Sequence, residues 1–406
     1  MKIVAPISPF EAEIQLPVSK SLMNRALVIQ SLSGGRVKVA QLPDSDDTQK
    51  MQEALQNASD HIHCGDAGTV ARFVLAAACT WNREVTLAGT EALQKRPMGP
   101  LVNALRQLGF SLDYLGKEGC LPIRINPQKA NEIRPTVSIQ ADVSSQFITA
   151  LLLIAPTLSQ GLTLHLEGEP ASRSYLEMTL NLLRKTGIQV EWKGSIIRVE
   201  PGAFKAQTLT VERDWSSAGY GFEMVALWPG SKIQFPDLSL DSLQGDTKMV
   251  PLFQRFGVIV TENEKGVHIF SKGNETAQVF DWDFSLIPDQ AQTLMATLCG
   301  LYQEGFFRGL QTLPLKETNR ISAMQIELAK IGARLREEGQ GWKLYPGPVT
   351  DHTPHFKTYN DHRMAMSLAP LALTFGEVEI ENPEVVHKSY PDYWRHLQQI
   401  GFKLIS

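Results

Sequence analysis

The sequence predicts an α/β fold made of repeated units and divided into two domains, and three observations predict it. First, a segment with a polar first turn, an apolar body and a breaker recurs along the chain. Its copies are KSLMNRALVIQSLSGG from Lys20, GTVARFVLAAACTWNRE from Gly68, SSQFITALLLIAPTLSQG from Ser144, SSAGYGFEMVALWPGSK from Ser216, DQAQTLMATLCGLYQEG from Asp289 and DHRMAMSLAPLALTFGE from Asp361. Second, the last five copies start 72 to 76 residues apart. Third, β-like runs such as GLTLHLEG, SIIRVE, GVIVTE and GVHIFS lie between them.

Taken in order, the N-terminal MKIVAPISPFEAEIQLP alternates like a strand and lacks a signal peptide's apolar core. The helix from Lys20 follows, with Ser21 as its expected N-cap and Gly34-Gly35 as its stop. A second helix lies 23 to 28 residues beyond each recurrent segment. Five of these end alike, as NALRQLGF, NLLRKTGI, PLFQRFGV, ELAKIGAR and HLQQIGFK, where a glycine suits a left-handed cap before a strand. The last copy lacks a terminal strand and the chain begins with one, so the N-terminal strand is expected to join the C-terminal units. The expected domains are 1–18 with 213–406, and 19–212, each of three units.

Composition narrows the function. With 406 residues and 43% hydrophobic content, there is material for two cores. Thirty-nine Lys and Arg against 43 Asp and Glu give a net charge of −4, which argues against nucleic acid as the main partner. No 18 apolar residues run together, so no membrane span is expected. Cys64, Cys79, Cys120 and Cys299 have neither metal-ligand nor redox spacing, and free thiols in a reducing cytoplasm are expected.

Lys20 and Arg25 stand at a helix start that is already positive. If the apolar helices are interior and related by rotation, their starts converge, and their unpaired N–H groups make an anion site. Cations there add to a field for a multiply charged anion.

The stretches PVSKSLMNRA, DSDD, GDAGTVAR, RPMGPLVNAL, SSQFITALL, SRSYLEMTL, DWSSAGY, QGD, IPD, KETNR, YNDHRMAM and KSYPDYW occur in one order from Pro17 to Trp394. In them the chain resembles the 5-enolpyruvylshikimate-3-phosphate synthases (3-phosphoshikimate 1-carboxyvinyltransferases) of the enolpyruvyl transferase family. The resemblance implies a two-domain inside-out α/β barrel, each domain of three βαβαββ units, six repeats in all, with the active site in the cleft between domains. It implies transfer of the enolpyruvyl group of phosphoenolpyruvate to the 5-hydroxyl of shikimate-3-phosphate with release of phosphate, in a cytoplasmic monomer without cofactor or metal.

By motif match, shikimate-3-phosphate falls to Lys20, Ser21, Arg25, Ser144, Ser145, Gln146, Ser172, Tyr175, Asp289 and Lys316. Phosphoenolpyruvate falls to Lys20, Gly68 with its neighbour Thr69, Arg96, Gln146, Arg320, Arg363 and Lys388. Glu317 is the candidate for proton transfer at the methylene carbon and Asp289 for the 5-hydroxyl, with Lys20 and Lys388 able to share these roles. The sequence departs from the family pattern at Asp66 (usually Asn), Phe73 (usually Pro), Asn319 (usually Asp) and near Thr312 (usually Asn). Two other readings stay open. One is the related transferase acting on UDP-N-acetylglucosamine, which often uses a mobile-loop cysteine. The other is a non-catalytic anion-binding paralogue.

Overall fold

The recurrent segments fold as six helices, α1 Lys20–Leu32, α2 Gly68–Cys79, α3 Ser145–Ile154, α4 Trp215–Leu227, α5 Ala291–Gly300 and α6 His362–Leu368. These come from a computed structural model that describes residues 1–127, 134–273, 280–348 and 352–405. Their apolar bodies are buried on nearly every side. All residues of α4, α5 and α6 are buried, and in α2 only Thr69 is not. One difference from expectation lies at the first start: α1 begins at Lys20, so Ser21 sits inside the first turn and Ser19 precedes the helix.

The chain divides into two compact units, Met1–Ser19 with Glu212–Ser406, and Lys20–Val211. In the continuous unit α1, α2 and α3 pack on one another, and in the discontinuous unit α5 packs on α4 and α6. Sheets surround each helix trio. A typical sheet runs Thr136–Gln140, Leu162–Glu167, Ile196–Val199, Val190–Lys193, with the first pair parallel and the rest antiparallel. The parallel pair needs a crossover, and the buried helix between its strands supplies it.

The remaining sheets repeat this order with two instructive exceptions. In the last, Lys2–Val4 lies between Glu377–Ile380 and Lys403–Ile405, antiparallel to both. In the first, only Val37–Val39 and Gln207–Leu209 pair, so the antiparallel hairpin present elsewhere is missing among the described residues. The N–H groups on the outer side of Val37–Val39 are instead taken by α1 and the residue after it. Ser33 Oγ accepts from Val37 at 3.0 Å, and Gln30 Oε1 from Val39 at 2.7 Å. Side chains thus blunt an edge that a strand covers in the other units.

The five glycines that end the second helices, Gly109, Gly187, Gly257, Gly332 and Gly401, all have φ between 75° and 111°. That left-handed turn lets the chain leave the helix and enter the next strand without a Cβ clash.

One core residue opposes its surroundings. Glu223, midway along α4, is fully buried, and neither carboxylate oxygen has a partner among the described residues. Burial raises its pKa well above the ordinary value. The folded state therefore holds a proton that the unfolded chain releases near pH 4.3. This contribution is present in full below that pH and is lost as pH rises toward the folded pKa. Glu223→Gln should flatten this loss. The melting temperature of the variant should exceed that of the unmodified protein at pH 8 and match it near pH 4.5, read by calorimetry.

Candidate active site

In the discontinuous unit the expected residues gather on one buried guanidinium. Arg320 opens the helix Arg320–Ala329 and is 1% exposed. Its Nη1 donates to Asp289 at 2.8 Å and its Nη2 to Glu317 at 2.9 Å. Its Nε donates to Asp361 at 2.7 Å, with Nη2 on the second Asp361 oxygen at 3.2 Å. Three carboxylates hold its charge despite burial, and they keep its pKa above the ordinary arginine range against desolvation.

Asp289 lies in the 3-10 turn Pro288–Gln290 that leads into α5. It is the meeting point of cations, with Lys316 Nζ at 3.1 Å and Arg363 Nη2 at 3.5 Å besides Arg320. Arg363 stands at the start of α6, whose N-cap is Asp361, so one acid caps the helix and grips Arg320. Arg363 also donates to the Asp289 carbonyl and to Ser216 Oγ, both at 3.3 Å. Lys388 ends the turn Pro383–Lys388, half-buried and without an ion pair among the described residues. His362 is buried beside Asp361.

In the continuous unit Lys20 Nζ pairs with Asp47 at 3.0 Å. Arg25 is buried, and desolvation lowers its pKa to about 10, still charged at neutral pH. Its Nη1 donates to the Ser21 carbonyl at 2.7 Å, its Nε to Thr179 at 2.8 Å and its Nη2 to the Tyr175 carbonyl at 3.3 Å. It thereby fixes two other expected residues. Phe73 lies 5.5 Å from this guanidinium and Tyr175 5.9 Å, so the departure at Phe73 adds a cation–π contact.

Ser144 caps α3 by accepting from Gln146 N at 3.3 Å, and Ser145 is its first residue. The Gln146 side chain donates to Thr69 Oγ1 at 3.1 Å and accepts from Arg72, joining the starts of α2 and α3. Ser172 precedes the helix Arg173–Lys185 with φ of 55°, an uncommon conformation for a serine that costs about 1–3 kcal/mol. Asp66 is exposed, and its carboxylate accepts from the Thr90 hydroxyl, which also caps the turn leading to Arg96.

Residues that sequence reasoning left without a role include Asp47, Asp246, Asp361 and Ser216. The acids stand in DSDD, QGD and YNDHRMAM, so the signal was their presence in those stretches. Their partners lie 27 or more residues away in the chain, out of reach of spacing arguments.

Comparison with known proteins agrees with this geometry. The sequence model of the EPSP synthase (3-phosphoshikimate 1-carboxyvinyltransferase) family matches residues 4–59 and 55–397. A 3-phosphoshikimate 1-carboxyvinyltransferase of Bacteroides fragilis is 40% identical over 399 residues, covering 97% of this chain and 96% of that protein. One of Bordetella petrii is 35% identical over 421 residues, covering 94% and 93%. Among solved structures, an EPSP synthase from Acinetobacter baumannii matches with a TM-score of 0.77 at 20% identity, covering 100% and 99%. The enolpyruvyl transferase NikO from Streptomyces tendae matches with 0.74 at 14%, covering 99% and 97%. These likenesses show the fold, the two-domain inside-out α/β barrel.

The start of α2 yields a test independent of substrate. A Cβ on Gly68 would lie 2.7 Å from Arg96 Nη1 and 2.8 Å from its Cζ, so the absent side chain is what lets that guanidinium rest over the helix start. Arg96 is the movable end of a long side chain. Gly68→Ala should therefore change the melting temperature by less than about 3 °C and weaken inorganic phosphate binding roughly fivefold by calorimetry, a loss of about 1 kcal/mol. Unchanged phosphate affinity would separate Arg96 from anion binding at this helix.

Proposed function

The chain belongs to the EPSP synthase (3-phosphoshikimate 1-carboxyvinyltransferase) family, a transferase of the shikimate pathway that moves enolpyruvyl from phosphoenolpyruvate to shikimate-3-phosphate, and we propose how its residues divide that work. The family match along nearly the whole chain carries the reaction. The cluster around Arg320 supports the division of roles.

In our reading the acceptor is the 5-hydroxyl, and phosphate leaves. Protonation of the methylene carbon makes the adjacent carbon electrophilic, and the 5-oxygen attacks it as its own proton is removed. Loss of phosphate with the return of a methyl proton restores the enol ether. Glu317 is placed at the methylene carbon and Asp289 at the 5-hydroxyl. Both are carboxylates held by Arg320, with Lys316 beside Asp289, so their positions are set before substrate arrives. Lys20 and Lys388 supply further positive charge and share in proton transfer.

Shikimate-3-phosphate is assigned to Lys20, Ser21, Arg25, Ser144, Ser145, Gln146, Ser172, Tyr175, Asp289 and Lys316. Phosphoenolpyruvate is assigned to Lys20, Gly68, Arg96, Gln146, Arg320, Arg363 and Lys388. The enzyme is taken to act as a cytoplasmic monomer without cofactor. No helix among the described residues is long and apolar enough to cross a membrane. Cys120 is buried, which disfavours it as the exposed thiol of the UDP-N-acetylglucosamine alternative.

Phosphate release from phosphoenolpyruvate and shikimate-3-phosphate, with UDP-N-acetylglucosamine as comparison acceptor, tests the reaction. Release only with the sugar nucleotide, or with neither acceptor, would overturn it. Arg96→Ala and Lys388→Ala should weaken phosphoenolpyruvate by about 2–4 kcal/mol and spare shikimate-3-phosphate. Glu317→Gln and Asp289→Asn should lower kcat at least about a hundredfold with binding largely kept. Near-normal turnover in either variant removes that carboxylate from proton transfer.

A further inference from the structure

Asp246, the acid of the QGD stretch, is buried one hydrogen bond from the starts of two central helices. Its Oδ2 accepts from Ser216 Oγ at 2.9 Å and its Oδ1 from Gln290 Nε2 at 3.2 Å. Ser216 Oγ in turn accepts from Arg363 Nη2 at 3.3 Å, and Gln290 directly follows Asp289. The carboxylate thus reaches a proposed phosphoenolpyruvate ligand, Arg363, through one intermediary.

A hydroxyl has one proton, and that fixes the direction of the chain of bonds. With Asp246 ionised, Ser216 donates its hydrogen bond to the carboxylate and turns a lone pair to Arg363. With Asp246 protonated, its O–H falls on one of two oxygens that both face donors, Ser216 Oγ and Gln290 Nε2, so one of the two bonds that hold the ionised acid is lost or reversed. The charged groups facing Asp246 are Arg363 from α6, Asp289 from the turn before α5, and Asp214 from the cap of α4. Burial, reinforced by the two acids and opposed by Arg363, pushes its carboxyl up to about 6.

We propose that Asp246 is a positioning residue for the transfer reaction: through Ser216, and with Gln290 holding its other oxygen, it orients Arg363, and it does so only when ionised. This rests on the reading of Arg363 as a phosphoenolpyruvate ligand.

The test compares the unmodified protein with Asp246→Asn and Ser216→Ala between pH 5 and pH 8. At pH 8, Asp246→Asn should raise KM for phosphoenolpyruvate about tenfold, with kcat within about threefold and KM for shikimate-3-phosphate within about twofold. Toward pH 5 the ratio of variant to unmodified KM should fall to about one, because the unmodified acid is then protonated as well. Taking the ratio removes the substrate phosphate's own titration near pH ~6. Ser216→Ala should raise the same KM about threefold, and it serves where Asp246→Asn does not fold. A KM within twofold of the unmodified protein at pH 8 in both variants, or a ratio that stays constant with pH, overturns the proposal. Calorimetric titration of phosphoenolpyruvate separates the two readings. An unmodified protein that binds phosphoenolpyruvate but releases no phosphate refutes the reaction, while the variants still report on Asp246 through affinity. Absence of phosphoenolpyruvate binding refutes both.

Discussion

The charge of Arg320, sealed inside the discontinuous unit, is the constraint on which the rest of the site depends. Burying a guanidinium costs several kcal/mol unless geometry and hydrogen bonding repay it, and here Asp289, Glu317 and Asp361 do so together. Each of these acids has a second attachment. Asp361 caps α6, Asp289 belongs to the turn that opens α5, and Glu317 lies one turn before Arg320 in its own segment. A single cation therefore sets the relative placement of two central helices and two candidate proton carriers. Stability and the proposed chemistry draw on the same bonds.

The two units treat their helix starts differently. In the discontinuous unit, α4 and α6 carry aspartate caps, Asp214 and Asp361, which already offset the positive ends of those helices. In the continuous unit no acid caps the central helices, which follow Ser19, Ala67 and Ser144, and Lys20, Arg25 and Arg96 lie at or near their starts. Equivalent helix starts thus carry a carboxylate-rich cluster in one unit and mainly cations in the other. A reaction that must both hold phosphates and move protons needs each kind.

Much of the fold was legible because repetition amplifies weak signals. One apolar helix proves little, but six with matching breakers, and five glycine caps, define a unit and its period. The N-terminal strand could be assigned because the last unit lacked one, and Lys2–Val4 indeed pairs beside Glu377–Ile380. The missing hairpin of the first unit also left a trace, since only 48 residues separate the starts of α1 and α2. What replaces it, the side chains of Gln30 and Ser33, is a matter of three-dimensional contact that periodicity does not carry. The site divides the same way. Cations stood out against a net acidic chain, whereas the acids that orient them were hidden, because Asp47, Asp246 and Asp361 look like ordinary caps and loop residues until their distant partners are seen. The reading of Ser21 as a cap failed because Lys20 itself adopts helical geometry.

The central claim is that Arg320 and its carboxylates act as one coupled unit. A double-mutant cycle between Arg320→Gln and Asp361→Asn, read from urea unfolding of the discontinuous unit, measures that coupling directly. Each single change breaks a buried ion pair, so a coupling of at least about 2 kcal/mol is predicted. Additive effects, within about 0.5 kcal/mol, would contradict the account.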